Sequence, residues 1–221
     1  MVESLGLLVT LEVRKLKQVK LMFLGCGFLA SNFIPFVLPH ASQIILIDRE
    51  RVEIANYDNY ILPKGYEGKR KVTASATLIQ ILSNVPVTPI HMNVKVVEQL
   101  IELHRQLKPD IAICTFDNVT ARIIARQYAL ETNTPTLFIG VTEDYVYIDW
   151  DRYVVLPSPN EVEDEMRRIR DICSRLEFRE LGGIAGGLAY YSFRRWLEKG
   201  EKVAFIASTK DSINVSMLRR C

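Results

Sequence analysis

A short apolar stretch that runs directly into a glycine turn constrains the fold of this chain more than any other feature. Residues 21–24 are apolar, and the sequence GCGFLA follows at residues 25–30. The glycines allow a tight turn that lets the N–H groups of the next helix face a phosphate, and small Ala30 lets that helix lie close to a sheet. A second apolar stretch, 44–47, ends on Asp48, near the spacing at which an acidic side chain reaches a ribose hydroxyl. The pattern predicts a nucleotide-binding βαβ unit with contacts from Gly25, Gly27, Ala30 and Asp48, and a glycine turn needed only for packing is the alternative.

The residues after Asp48 help to decide between a dinucleotide and ATP. Residues 48–60 read DRERVEIANYDNY, residues 68–72 read GKRKV and residues 117–122 read DNVTAR. The first segment matches D-x-D/E-x-V-E-x-S-N-L-N-R-Q at Asp48, Glu50, Val52, Glu53 and Asn56, and the other two match G-x-x-K-[AV] and D-N-x-x-x-R. These are motifs of the ThiF/MoeB/HesA adenylating enzymes, and they keep their order and approximate spacing here. From about residue 20 to residue 206 the chain resembles that family, which shares its fold with ubiquitin-activating enzymes.

The resemblance implies a site for ATP and Mg²⁺. It implies that Asp48 takes the ribose, that Asn56 and Lys71 reach the phosphates, and that Asp117 holds the metal. Lys71 and Asp117 are then the catalytic residues. The nucleotide contacts implied by the glycine turn and the motifs are Gly25, Gly27, Ala30, Asp48, Glu50, Asn56, Lys71 and Asn118.

Two of these residues have structural alternatives that stay open at this stage. Lys71 stands beside Lys69 and Arg70, a cluster that is typical of an exposed surface. Asp117 precedes the helical stretch 119–122, and aspartate is a favoured helix N-cap.

The chain departs from the family pattern at two arginines. The family arginine that helps to hold the triphosphate is replaced by Asn59, which cannot make the charge-assisted fork of an arginine on phosphate. In many family members a second arginine comes from a segment well upstream of the glycine turn, often from the partner subunit. Arg14 is the available counterpart here, and a solvated basic segment is the competing interpretation for it.

Strand and helix patterns alternate along the first part of the chain. Apolar periodicity predicts helices over 71–82, 96–107 and 119–131 and strands over 85–92, 110–115 and 136–141. Two prolines in 85–92 favour an edge strand. We therefore expect an α/β, Rossmann-like fold with a mainly parallel sheet flanked by helices and extended by C-terminal strands. We also expect a single domain over 1–221, with a nucleotide-binding half at 1–140 and a helix-and-strand half at 141–221.

The second half has a different pattern. Residues 145–150 and 153–156 predict a hairpin, and Asn160 with Glu163 predicts a capped helix start. The glycine-rich run 182–187 lacks the Lys-[Ser/Thr] ending of a P-loop, so it predicts close packing of a helix against a sheet or a partner subunit. Strands over 202–207 and 213–218 close the domain.

The four cysteines, Cys26, Cys114, Cys173 and Cys221, contain no C-x-x-C pair, so no zinc site is expected. In the family, a crossover-loop cysteine accepts an acyl or persulfide group in some members, and Cys173 has that position. Helical spacing also places Cys173 on an apolar stripe, which predicts a buried structural thiol. The reactive alternative stays open, since nearby arginines favour a thiolate.

Composition indicates one large domain in the cytoplasm. The 221 residues carry a net charge of +2, which argues against nucleic-acid binding driven by bulk charge. No apolar stretch approaches the ~20 residues of a membrane span, and the first ten residues lack a basic leader.

Three functional hypotheses follow. The first is an ATP·Mg-dependent adenylyltransferase that acts on a carboxylate, at the C-terminus of a ubiquitin-like or sulfur-carrier protein or on a small-molecule or tRNA-linked substrate. The second is a catalytically degenerate regulatory or scaffold protein that keeps the fold. The third is an NAD-binding Rossmann enzyme whose Asp48 contacts a ribose. The resemblance also implies a homodimer.

Overall fold

One eight-stranded sheet organises the computed structural model, which describes residues 17–151, 175–210 and 212–218. The strands in chain order are β1 Val19–Leu24, β2 Ala41–Asp48, β3 Val87–His91, β4 Ile111–Cys114, β5 Thr136–Val141, β6 Tyr145–Trp150, β7 Ala204–Ser208 and β8 Asn214–Leu218. Their order across the sheet is β3-β2-β1-β4-β5-β6-β7-β8.

Helices connect the strands, and all but the short α2 lie where the sequence predicts a helix. They are α1 Phe28–Val37, α2 Asn56–Asn59, α3 Lys71–Leu82, α4 Val97–Leu107, α5 Val119–Thr132 and α6 Arg179–Lys199. Short 3₁₀ turns occupy Leu38–His40 and Leu176–Phe178. The helix predicted over 71–82 has the same bounds as α3, and α4 and α5 agree with their predictions to within one residue at each end.

The sheet divides into a parallel and an antiparallel part. Strands β3, β2, β1, β4 and β5 are parallel, whereas β6, β7 and β8 add antiparallel pairs at the far side. Pro89 lies in β3, an edge strand, where a missing N–H is tolerated. These findings confirm the predicted Rossmann-like fold with C-terminal strands that extend the sheet.

Both faces of the parallel part are covered. Leu21 and Phe23 of β1 point to one face, which α1, α3 and α6 cover, while Met22 and Leu24 point to the other, which α4 and α5 cover. Parallel strands that are buried on both faces read as unbroken apolar runs. This explains why residues 21–24 and 44–47 show no alternation of apolar and polar side chains.

The glycine-rich run forms part of α6 and lies against α1. A Cβ atom at Gly182 would lie 2.7 Å from Asn32 Nδ2, and one at Gly186 would lie 2.8 Å from the main-chain oxygen of Asn32. At Gly183 and Gly187 nothing lies within 4 Å. Close packing is therefore confirmed for the glycines on one side of α6, but their neighbour is the helix α1 and not the sheet or partner subunit that the sequence predicted.

Several sequence predictions fall outside the described residues: the strand 153–156, the cap at Asn160, the helix around Cys173, and Arg14. The first strand of the predicted hairpin is β6, which pairs with β5 on one side and β7 on the other. Within the ranges that the structure describes, no helix combines the length and apolar character needed to cross a membrane.

Candidate functional site

The glycine turn joins β1 to α1 and lies directly against the end of β4. Gly25 has a φ of +104°, and a Cβ atom there would lie 2.9 Å from Thr115 Oγ1 and 3.1 Å from its main-chain carbon. Gly25 N donates to the main-chain oxygen of Ile47 over 2.8 Å. Only glycine combines this φ with this contact. The turn is thus fixed between β2 and β4.

The N-terminus of α1 follows the turn. Gly27 occupies the N-cap position and therefore offers no capping side chain, and its main-chain oxygen accepts from Ser31 N over 3.0 Å. The first N–H groups of a helix have no partner within the helix, and they carry partial positive charge. Ala30 is fully buried beneath this turn. The arrangement suits a phosphate at the start of α1.

Asp48 connects the end of β2 to the glycine turn. Its Oδ2 accepts from Cys26 N over 2.7 Å and its Oδ1 from Glu50 N over 2.6 Å. The side chain is buried, and burial raises the pKa of this carboxyl, while the two backbone N–H groups and Lys71 oppose that rise. The carboxylate therefore has a defined orientation, and each oxygen keeps a further lone pair for a ligand.

A cavity of about 370 Å³ opens beside Asp48 at the carboxyl ends of β2, β3 and β4. Its lining consists of Asp48, Arg49, Met92, Asn93, Val94, Lys95, Phe116, Asn118, Thr120 and Ala121. The volume lies in the range of small-molecule sites, and this end of an open α/β sheet is where ligands bind. The structure therefore brings the predicted residues Asp48 and Asn118 together in one pocket.

Lys71 is the first residue of α3, and its side chain is 5% exposed. Its Nζ lies 2.6 Å from Glu50 Oε2 and 3.4 Å from the Tyr60 hydroxyl, and 5.0 Å from the centre of the Tyr60 ring. Burial lowers the pKa of Lys71, but Tyr60, Glu50 and Asp48 outweigh it and hold the pKa above its usual range. The surface-lysine alternative is wrong for Lys71, although Lys69 and Arg70 are exposed.

The sequence left open whether Asp117 caps α5 or holds a metal ion. Asn118 is the N-cap of α5, because its Oδ1 accepts from Ala121 N over 2.8 Å. Asp117 is half-buried just beyond β4, and its Oδ1 accepts from Asn118 Nδ2 over 3.4 Å. The helix-cap alternative is therefore wrong for Asp117. Among the described residues, no group of three His, Cys, Asp or Glu side chains is arranged to hold a metal ion.

Arg122 secures the loop that carries these two residues. It is buried, its Nε donates to the main-chain oxygen of Phe116 over 2.6 Å, and its Nη2 donates to that of Ile139 over 2.6 Å. Its guanidinium also lies 5.6 Å from the centre of the Tyr147 ring. Arg122, the arginine of the D-N-x-x-x-R motif, thus holds the loop of Asp117 and Asn118 against β5.

The short helix α2 carries Asn56 and Asn59. Both are buried; Asn56 Oδ1 accepts from Glu53 N over 2.9 Å, and Asn59 Nδ2 donates to the main-chain oxygen of Arg175 over 2.6 Å. Tyr60 N donates to the main-chain oxygen of Asn56 over 2.7 Å, which connects α2 to the tyrosine beside Lys71. Asn56 is therefore connected to Lys71 through Tyr60.

Sequence reasoning missed two residues of this region. Tyr60 borders both Lys71 and the glycine turn, since its hydroxyl would lie 3.5 Å from a Cβ atom at Gly27. Thr115 packs against Gly25 and donates from its hydroxyl to the main-chain oxygen of Gly25 over 3.1 Å. Tyr60 stands where the family motif has glutamine, so the departure itself was the available signal.

The fold is shared with several solved structures. E. coli MccB with ATP has a TM-score of 0.70 and 19% identity over 92% of this chain and 64% of that one. The microcin C7 biosynthetic enzyme MccB in complex with N-formylated MccA has a TM-score of 0.72 and 20% identity over 92% and 65%. PaaA has a TM-score of 0.69 and 18% identity over 92% and 64%. The chain spans just under two thirds of the length of these proteins, and at this identity the likeness shows the fold.

Sequence comparison supplies the family. No curated protein sequence matches the chain. The sequence profile of the ThiF family matches residues 4–147, well over half of the chain. This range includes the glycine turn, the Asp48–Lys71 region and the Asp117–Arg122 loop. The chain therefore belongs to the ThiF family.

Proposed function

We propose that this protein binds ATP and transfers its adenylyl group to a carboxylate of a peptide or protein. The observation that carries the proposal is the connection between the cavity and the glycine turn. Asp48 lines the cavity, and its bond to Cys26 N places the N-terminus of α1 next to it. A nucleoside in the cavity would direct its phosphates toward the start of α1 and Lys71.

The residues divide between the two ends of such a nucleotide. Asp48 accepts from the ribose through its remaining lone pairs, and Asn118 completes the nucleoside end, whereas Glu50 lies beside the phosphate end through its bond to Lys71. Gly25, Gly27 and Ala30 let the backbone of the turn approach the phosphates. Lys71 and Asn56 serve the phosphate end, where Lys71 supplies a fixed positive charge.

Asp117 fits the metal that this chemistry uses. Mg²⁺ binds through one or two carboxylates together with substrate phosphates and water, so a single aspartate is sufficient. Because Asn118 caps α5, the Asp117 carboxylate is not needed as a helix cap. Asp117 would hold Mg²⁺, and the bound ion would neutralise negative charge on the phosphates.

The proposed reaction is an in-line displacement at the α-phosphorus of ATP. A carboxylate oxygen of the substrate forms a bond to that phosphorus, the bond to the α,β-bridging oxygen breaks, and pyrophosphate leaves with the electron pair. The product is an acyl adenylate. Lys71 and the N–H groups of α1 stabilise the negative charge that moves onto the phosphate oxygens.

The acceptor that we propose is the C-terminal carboxylate of a ubiquitin-like or sulfur-carrier protein. We also propose that residues 1–221 form one domain and that the enzyme acts as a homodimer in the cytoplasm. Support comes from the family and from MccB, which has been solved in complex with MccA. A degenerate scaffold is the second candidate. It is favoured by Asn59, which replaces the family arginine and is buried in a structural bond to Arg175.

Calorimetric titration with ATP·Mg, AMP and NAD tests the proposal. We expect saturable binding of ATP·Mg, tighter than that of AMP, and no comparable binding of NAD. ATP–pyrophosphate exchange that depends on an added carboxyl-terminal peptide then separates the enzyme from the scaffold. Binding of NAD alone, or of no nucleotide, would refute the adenylation proposal.

A further inference from the structure

The carboxylate of Glu50 is bonded to the ammonium group of Lys71, which is the group that a phosphate would need to contact. The Nζ atom of Lys71 and Oε2 of Glu50 are 2.6 Å apart, a distance typical of a strong charge-assisted hydrogen bond. A second bond joins the same residues through the backbone, from Lys71 N to the main-chain oxygen of Glu50 over 2.9 Å. Lys71 is thus bonded to Glu50 through both its side chain and its backbone.

The two partners differ in their freedom to move. The Lys71 side chain is 5% exposed and lies against Tyr60, whereas the Glu50 side chain is 41% exposed. Glu50 can therefore turn into solvent at little cost, because water replaces the bonds that it loses. Lys71 has no such route. An exchange of partners at this site would move the carboxylate and leave the ammonium in place.

The local charge balance leaves a phosphate one positively charged partner at this site. Asp48 and Glu50 contribute two negative charges beside the single positive charge of Lys71. The family arginine that would offset them is replaced by Asn59. Nearby Arg49 and Arg51 point elsewhere, toward Asn93 Oδ1 and the main-chain oxygen of Gly68. An incoming phosphate must therefore compete with a carboxylate for one ammonium group.

We infer that Glu50 is a built-in competitor for phosphate at Lys71 and that it limits the preference of the site for a nucleoside triphosphate over a monophosphate. This inference rests on the proposed ATP site. A nucleotide whose outer phosphates reach Lys71 displaces Glu50, and AMP, which lacks those phosphates, leaves the Glu50–Lys71 pair intact. The carboxylate thus lowers the affinity for ATP while it keeps the buried lysine paired in the free protein.

The test compares Glu50→Gln with Glu53→Gln by calorimetric titration. Glutamine keeps a neutral acceptor for Lys71, and a neutral bond is about half as strong as a charge-assisted one, so we expect E50Q to bind ATP·Mg about tenfold tighter than the wild type. Its affinity for AMP should be unchanged. Glu53 is exposed and carries the same charge, so E53Q controls for net charge and should change ATP affinity less than about twofold.

The outcomes separate this inference from the proposed function. If the wild type binds ATP·Mg and E50Q binds it no more tightly, the inference fails and the ATP site stands. If E50Q weakens ATP and AMP equally, Glu50 is a nucleoside ligand and the inference is wrong. If neither protein binds ATP·Mg, both proposals fail. Glu50→Asp, with a shorter side chain, provides a second variant and should show a smaller gain than E50Q.

Discussion

Asn59 donates from its side-chain nitrogen to the main-chain oxygen of Arg175 over 2.6 Å. The amide is 1% exposed, and its own main-chain oxygen accepts from Asn32 Nδ2 over 3.5 Å. This residue stands where the family motif has the arginine that contacts the triphosphate. In this protein the position instead joins α2 to the segment that leads into α6, so the substitution exchanges a ligand contact for a structural one.

Replacement of Asn59 should therefore affect stability. Asn59→Ala removes a buried donor and leaves the Arg175 carbonyl without it, which costs about 1–3 kcal/mol of unfolding free energy. Asn59→Arg should cost at least as much, because a larger charged side chain must enter a closed site. Urea unfolding measures both, with exposed Asp58→Ala as the control. If Asn59→Arg were fully stable and gained ATP affinity, the position would still be a ligand site.

Gly25 and Gly68 form a matched pair for the glycine turn. Both have positive φ, but a Cβ at Gly68 would meet nothing within 4 Å, whereas one at Gly25 would press on Thr115. Gly68→Ala should lose roughly 1 kcal/mol from backbone strain alone. Gly25→Ala should lose roughly 3 kcal/mol, since steric overlap adds to strain, and should also weaken ATP binding. Equal losses in thermal unfolding would contradict the contact with Thr115.

Arg122 should be intolerant even of lysine. Its two bonds to the carbonyls of Phe116 and Ile139 come from different nitrogens of one planar group, which an ammonium cannot reproduce. We expect Arg122→Lys to lose about 2 kcal/mol and Arg122→Ala more, because bonds of charged donors are worth about 1.5–3 kcal/mol each. Exposed Arg126→Ala on the same helix should be nearly neutral. Urea unfolding that shows R122K as stable as the wild type would refute the positioning role.

Cys26 and Cys114 should resist alkylation in the folded protein. Both thiols are buried, and burial raises the pKa of each, with the Asp48 charge raising that of Cys26 further. The thiolate is the reactive form, so iodoacetamide at mildly alkaline pH should label neither residue until urea is added. Peptide mass mapping provides the readout for each site. Rapid labelling of native Cys26 would show that the glycine turn opens in solution.

The sequence predicted the parts of the fold that depend on local pattern. The apolar runs at 21–24 and 44–47, the helix over 71–82 and the edge position of Pro89 all follow from periodicity and backbone chemistry, and the structure confirms them. The close packing of the glycine-rich helix was likewise predicted from composition. The identity of its neighbour could not be predicted, because α1 is about 150 residues away in sequence.

The environment of the site residues depends on contacts between residues that are far apart in sequence. Local sequence patterns did not predict these contacts. Lys71 belongs to a basic cluster, yet Glu50 and Tyr60 cover it while its neighbours stay exposed. Asp117 and Asn118 are both good helix caps, and only the turn after β4 selects Asn118. The contact of Asn59 with Arg175 spans 116 residues. No local pattern encodes such pairs.

The most direct test of the proposed ATP site is calorimetric titration of Lys71→Ala with ATP·Mg and with AMP. Lys71 has its place at the phosphate end, so the variant should lose about tenfold in affinity for ATP·Mg and little for AMP. Exposed Lys69→Ala, two residues away, should match the wild type for both nucleotides. Equal losses for ATP and AMP, or no loss for either, would contradict the placement of the outer phosphates on Lys71.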